Sequence, residues 1–301
     1  SAAIVKAAYD GEVFFSHPAG LFKDLREQVK PGNRVVICDI ALSELHLMDV
    51  INYLKMLNET GEVIYIDHHP FPETINKEDF PGILVHEEGP CAAELAYRFL
   101  EDKLEEDMVR VALFGAISDY ALNTDFVYDN IWRWDIRSLF FEAGVLVQGL
   151  EGSRRMYDFK RIVVRHLASN GLPSQLSELV IRALIESVLE DDMRRKDMRE
   201  VKVSGGVAYI LNPGGSLGKA ARYAAIYGNR NIGLAGEVRG NFIDLSLREL
   251  KPGVDLNKIL REVSRVLGVH GGGHKMAAGA RVPVKLFHRF LEELNKRIKE
   301  T

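Results

Sequence analysis

Two short β-branched runs that each end in an acid constrain this chain more than any other feature. Residues 34–39 read Arg-Val-Val-Ile-Cys-Asp, and residues 62–67 read Glu-Val-Ile-Tyr-Ile-Asp. Neither run alternates polar with apolar, so neither suits a strand with one wet face; such runs belong to strands covered on both sides. Helical patterns lie between them. Apolar residues recur at helical spacing over 45–57, and Gly61 suits a helix C-cap. Further strands are expected at 12–15 and 82–85, and helices at 21–29, 91–100 and 107–118. This alternation predicts an α/β fold, a mostly parallel sheet with helices on both faces.

Beyond Trp132 the pattern turns purely helical as far as Leu189. A helix is expected over 174–198, ending in the charged stretch 190–196 (Glu-Asp-Asp-Met-Arg-Arg-Lys), read as a solvated helix end that also makes an interdomain connector. From Val201 onward, Gly-rich turns and short strands take over, with helical segments at 256–267 and 286–298. The chain is therefore divided into an α/β domain (1–172), a helical linker (173–198) and a smaller α+β domain (199–301). Its 301 residues suit two domains.

The net charge of −4 excludes a basic coat for long nucleic acid, so any such contact must be local, made in a cleft. Cys38 and Cys91 cannot form a disulfide framework and read as core residues in a reducing compartment. No apolar run approaches 18 residues, so no membrane association is expected and the cytoplasm is the expected location. Glutamine is confined to Gln28, Gln148 and Gln175 while charge is plentiful, which resembles a thermophile composition.

In open parallel sheets, ligands bind beyond the carboxyl ends of the strands. Asp39 closes the first run. Asp67 closes the second and is followed at once by His68, His69 and Pro70. Asp119 follows the apolar helix and opens the loop 119–125. Each taken singly has an ordinary reading, since an Asp after a strand is commonly a turn or cap residue. Together, Asp39, His68 and Asp119 make an oxygen-and-nitrogen donor set suited to Mn²⁺, Mg²⁺, Co²⁺ or Zn²⁺, and the lack of thiolates argues against a structural zinc site. Two such ions can clamp a phosphate and generate hydroxide at neutral pH.

In the second domain, Gly271-Gly272-Gly273-His274-Lys275 reads as a loop whose backbone N–H groups form an anion nest, with His274 and Lys275 as added donors. Arg248 ends the apolar run 243–247, placing a guanidinium within reach of a phosphate. Residues 212–220 (Asn-Pro-Gly-Gly-Ser-Leu-Gly-Lys-Ala) imitate a phosphate loop, but Pro213 stands where the first Gly belongs and Ala220 where Ser or Thr must hold magnesium. No dinucleotide fingerprint follows a strand. Trp132 and Trp134 read as helix packing, not base-stacking platforms.

These residues resemble the DHH phosphoesterase superfamily, in the branch with the DHH-associated C-terminal domain. Asp67-His68-His69-Pro70 is similar to its name-giving motif, residues 34–39 to the preceding strand, residues 115–119 (Gly-Ala-Ile-Ser-Asp) to its fourth motif, and residues 271–279 with Ser246-Leu247-Arg248 to the associated domain. The resemblance implies a catalytic domain over 1–172 and a substrate-binding domain over 199–301. It further implies that Asp39 bridges two divalent metals, most plausibly Mn²⁺, with Mg²⁺ or Co²⁺ as alternatives. His68 and Asp119 would complete the second metal's shell, Asp67 would orient ligands from behind, and His69 would lie at the scissile phosphate. Gly271, Gly272, Gly273, His274 and Arg248 would hold the substrate's distal end. The family's first motif, a strand followed by His and two Asp, has no counterpart here: the sequence opens inside a helix at Ser1, and the expectation is that this is a trimmed chain. His17 lies after that helix and cannot substitute.

The expected activity is hydrolysis of phosphoester bonds in short oligonucleotides, in the manner of nanoRNases, with phosphoadenosine phosphate as a further substrate. The alternatives are a RecJ-like single-strand exonuclease, a cyclic-dinucleotide phosphodiesterase, and a non-catalytic nucleotide-binding scaffold. A homodimer stays open.

Overall fold

The computed structural model describes residues 1–300, which form two compact units that divide between Leu184 and Ile185.

The first unit opens with α1 (Ala2–Tyr9) and α2 (Leu21–Gln28), followed by β1 (Arg34–Cys38), α3 (Leu47–Thr60), β2 (Glu62–Asp67) and β3 (Ile83–His86). The three strands form a parallel sheet in the order β1-β2-β3. Strand β2 explains why its sequence lacks alternation. Val63 and Tyr65 point into a core made with α2 and α3, whereas Ile64 and Ile66 point into a second core on the opposite face. That second core is built with α1, α4 (Ala92–Leu100), α5 (Val109–Ser118), α7 (Ile136–Glu151) and α8 (Tyr157–Ala168); α6 (Asp125–Asn130) sits between α5 and α7 in the chain. Both faces of β2 are thus dry, which is the condition under which a parallel strand reads as a continuous apolar run.

Residues 12–15 are not a strand. They run as irregular chain, held where the Val13 carbonyl accepts from Arg161 Nε at 2.8 Å and Ser16 donates to Asp24 at 2.6 Å. Their β-branched and aromatic residues pack against helices, and propensity yields to that tertiary context.

Helix α9 (Ser177–Lys196) covers most of the expected linker, and the division between the units falls inside it. Its N-terminal part contributes Leu179 and Ala183 to the first unit's core, and Met193 belongs to a core of the second.

The second unit contains β4 (Lys202–Ser204), β5 (Val207–Leu211), α10 (Leu217–Tyr227), β6 (Ile232–Arg239), β7 (Phe242–Glu249), α11 (Leu256–Leu267), β8 (His270–Gly273), β9 (Ala277–Pro283) and α12 (Phe287–Glu300). Its six strands are ordered β4-β5-β6-β7-β9-β8, with only β5 and β6 parallel. Helices α11 and α12 bury one face, and α10 packs on the other. Helix α10 escaped sequence reading because its apolar stripe is made of small residues, Ala220, Ala221, Ala224 and Ala225, all fully buried. Gly233 beneath it lets the helix approach so closely that a Cβ there would lie 1.8 Å from the Ala221 carbonyl oxygen.

Candidate functional site

The carboxyl ends of the three parallel strands line up Asp39, Asp67 and His86. Asp67 lies opposite His86 in the β2–β3 register, and Asp39 continues β1 by one residue, its N–H donating to the Ile66 carbonyl at 2.9 Å. Asp39 is in the left-handed region, φ 62°, a conformation that an Asp tolerates better than most residues. This turns the chain off the sheet edge and leaves the Asp39 carboxylate exposed while Asp67 is buried at 2 % exposure.

His68 and His69 present their rings edge to face at 4.9 Å. His68 Nδ1 bonds the Pro90 carbonyl at 3.0 Å, and its Nε2 stands 3.3 Å from Asp39 Oδ1. His69 Nδ1 bonds Asp67 Oδ1 at 2.8 Å. A backbone or carboxylate partner on one ring nitrogen fixes the tautomer and aims the other, the usual support of a metal-ligating or proton-carrying histidine. Donor atoms of Asp39, Asp67 and His69 lie within 4.8 Å of one another. The Asp67–His69 bond thus brings both residues to the Asp39 side.

Asp119 caps the C-terminus of α5 and is coupled to the same cluster by charge. Asp39 and Asp119 both keep an edge in solvent, but the protein packed around them strips part of their hydration. That desolvation raises the Asp119 pKa and the nearby Asp39 charge raises it further. It also works to raise Asp39, but the hydrogen bond with His68 and the surrounding positive charge outweigh it and bring it down. His68 mirrors this: burial works to lower it, and Asp39, Asp119 and Asp67 lift it. The two acids are therefore pushed in opposite directions, Asp39 down and Asp119 up, as happens where like charges crowd together. Burial pushes the Cys38 thiol up to about 12 and the Cys91 thiol up to about 11, so neither offers a thiolate at neutral pH.

Two supporting residues went unread in the sequence. His86 Nε2 bonds the His69 carbonyl at 2.6 Å and packs edge-on against Phe71, while its buried Nδ1 has no hydrogen-bond partner among the described residues. Glu94, 1 % exposed, accepts from Thr124 Oγ1 at 2.8 Å and so ties α4 to the end of the loop that Asp119 opens. The strand expected over 82–85 stops one residue short of His86 and offered a hint; Glu94 offered none.

In the second unit the run of glycines is not a nest-forming loop. His270-Gly271-Gly272-Gly273 is β8, an edge strand paired antiparallel with β9 through Gly271–Ala280, Gly272–Gly279 and Gly273–Ala278. The glycines serve close packing: a Cβ on Gly271 would lie 2.8 Å from Ser264 Oγ of α11, and one on Gly273, with φ 149°, 2.6 Å from the Ala277 carbonyl oxygen. The Gly273 N–H is taken by Asn257 Oδ1 at 3.0 Å. The turn lies one step on, where His274 N–H donates to the Ala277 carbonyl at 2.8 Å. Arg248 stands opposite Ala277 in the β7–β9 register, so this turn and the arginine share one end of the sheet. The Arg248 guanidinium bonds Ser246 Oγ at 3.0 Å and the Leu247 carbonyl at 2.8 Å. Gly218 makes room for it, since a Cβ there would fall 2.8 Å from Nη2. Among the described residues no helix is long and apolar enough to cross a membrane.

Comparison with known proteins gives these positions a context. Residues 203–300 match the DHHA1 domain family. No curated protein matches the sequence significantly. Among solved structures, RecJ from Thermus thermophilus in complex with Mn²⁺ matches 100% of this chain at 19% identity and a TM-score of 0.66; the chain spans 50% of that protein. The pGpG-specific phosphodiesterase PggH from Vibrio cholrae matches 99% of this chain and 94% of its own at 14% identity and a TM-score of 0.55. Exonuclease RecJ bound to manganese matches 100% and 86% of the two chains at 20% identity and a TM-score of 0.53. The shared feature is the fold.

Proposed function

We propose that this chain, a DHH-type fold carrying a DHHA1 domain over residues 203–300, is a divalent-metal-dependent phosphoesterase that hydrolyses short oligonucleotides. The observation that carries this reading is the convergence of Asp39, Asp67, His68 and His69 at the carboxyl ends of one parallel sheet, with Asp119 in charge contact from the end of α5. Its donor chemistry fits hard and borderline cations. It offers only carboxylate oxygen and imidazole nitrogen, and the His68 Nδ1 bond to Pro90 leaves Nε2 on the Asp39 side. A cation bound among Asp39, Asp67 and Asp119 would offset their mutual repulsion.

In this reading Asp39, His68 and Asp119 would hold the metal. When bound, divalent ions neutralise the phosphate and ionise a water. The protein's own groups do the rest. Asp67 accepts from His69 Nδ1–H and fixes the ring, leaving Nε2 as the atom that would hand a proton to the departing oxygen. His86 and Pro90 fix the backbone and ring of the two histidines through the His69 carbonyl and His68 Nδ1. Arg248 and His274, at one end of the DHHA1 sheet, supply cationic and hydrogen-bonding groups for a distal phosphate.

Mn²⁺ is the favoured ion, and Mg²⁺ or Co²⁺ are alternatives. Support for Mn²⁺ is that two RecJ structures of this fold contain it. The net charge of −4 favours short substrates over long strands. The test is turnover of labelled di- to pentanucleotides against a long single strand by purified full-length protein with Mn²⁺. Preference for the short substrates supports the proposal. Preference for the long strand replaces it with a RecJ-like exonuclease, the reading favoured by the TM-score of 0.66. Binding without turnover leaves a nucleotide-binding scaffold.

A further inference from the structure

Helix α9 carries apolar side chains on two opposite faces. One face serves the protein's own cores, through Leu179, Ala183 and Met193. Ile181, Leu184, Ile185, Val188 and Leu189 fall on the other, and each is between 52% and 64% exposed. Their spacing of i, i+3, i+4, i+7 and i+8 makes one continuous row, because at 3.6 residues per turn these positions share a side of the helix. As α9 is a single unbroken helix of 20 residues, the helix alone fixes that geometry. Single exposed apolar residues are ordinary on a protein surface, but five large aliphatic side chains in one row are not. A helix that is apolar all round is normally covered all round.

We propose that the chain forms a homodimer in which this row packs antiparallel against the same row of a second copy. The spacing is that of a helix–helix seam, by which two identical helices interlock their side chains. The ends of α9 carry opposite charge: Glu178 in the first turn, and Arg194, Arg195 and Lys196 in the last. The side chains of Glu178 and Arg195 stay 55% and 66% exposed beside their partners within the helix, Arg182 and Asp191. In an antiparallel pair the acidic start of each helix lies beside the basic end of the other, and the helix dipoles oppose; a parallel pair sets like charge against like. A two-fold axis between Ile185 and Val188 puts Leu184 level with Leu189 of the partner subunit and Glu178 level with Arg195 of the partner subunit. A helix of this length, about 30 Å, spans a standard interface of roughly 800 Å² per partner, with the aliphatic row at its centre and charges at its rim. The pairing does not depend on the phosphoester chemistry.

Sedimentation velocity of the full-length protein over a dilution series tests this. Wild type should run as a dimer that dissociates on dilution. The double variant Leu184→Glu/Val188→Glu places carboxylates from both copies in the apolar centre and should raise the self-association Kd roughly 100-fold or more. Both positions are exposed, so the variant should keep the circular dichroism spectrum of wild type and the Tm of wild type diluted to monomer. Wild type that is monomeric at every concentration overturns the proposal, as does a dimer whose Kd the double variant leaves unchanged. Cross-linking decides independently, should the double variant fail to fold. A mixture of Glu178→Cys and Arg195→Cys proteins, treated with a short bismaleimide and with wild type as the blank, should join one variant to the other. Each variant should fail to join to its own kind, because the like positions then stand about 25 Å apart along the helix axis. Joining of either variant to itself, or no joining at all, overturns the antiparallel pair.

Discussion

At the residue scale, the site depends on side chains whose work is to hold other groups still. His86 is the clearest, with one nitrogen on the His69 carbonyl at 2.6 Å. His86→Leu removes that bond, and the loss of one hydrogen bond costs about 0.5–1.5 kcal/mol. Urea denaturation should show a loss in that range, with His86→Gln, which keeps a donor, recovering most of it; equal losses for both variants would mean that ring packing against Phe71 matters and the bond does not. Glu249 makes a different prediction. It is 2 % exposed, accepts from Asn231 Nδ2 and the Val254 N–H through Oε1, and has no partner for Oε2 among the described residues. Burial raises its pKa above that of an exposed glutamate. A raised folded-state pKa favours the protonated form on folding, so this contribution to stability is complete below the unfolded value of about 4.3 and is lost as pH climbs through the folded value. Tm measured from pH 4 upward should therefore fall more steeply for wild type than for Glu249→Gln. Parallel curves would show that Glu249 ionises without cost.

Elements meet here through small residues. Gly115 begins the stretch that ends in Asp119, and a Cβ there would lie 2.4 Å from Ala93 Cβ on α4. Gly115→Leu forces α4 and α5 apart, moving Asp119 and the Glu94–Thr124 tie together. Overpacking of this kind costs roughly 1–3 kcal/mol or more. Loss of Mn²⁺ affinity beyond what the stability change explains, measured by calorimetry on folded protein, is the expected signature; unaltered affinity would separate the helix spacing from the site. The same logic explains the glycines of β8: α11 crowds Gly271 and Gly272, the β9 backbone crowds Gly273, and a strand serves where a loop was expected.

At the scale of the whole molecule, two units carry separate cores, one around the parallel sheet and one around the six-stranded sheet. Every proposed metal ligand lies in the first unit. A ligand that binds only the folded state stabilises it by RT ln(1 + [L]/Kd), about 2.7 kcal/mol at a hundred-fold excess over Kd. Mn²⁺ should therefore raise the unfolding temperature of the first unit and leave that of residues 185–301 in place. Hydrogen exchange resolved by segment would check this, and equal protection in both units would move the metal site or its coupling.

The sequence by itself determined which residues stand at the strand ends. Runs apolar on both faces belong to parallel strands covered on both sides, and ligand-binding groups in such sheets stand beyond the carboxyl ends, so Asp39, Asp67, His68 and His69 were readable as a group. The DHHA1 region was legible for a similar reason, from Arg248 and the Gly-His segment at fixed places in a short-strand pattern. Tertiary structure alone decided the partners. His86 finds His69 across a β2–β3 register set by core packing, and Asn257 reaches Gly273 from a different element. Tyr120 becomes left-handed because the end of α5 needs two capping bonds at that point. Local composition records which groups are available; distances between residues far apart in the chain are fixed only when apolar surfaces close against one another.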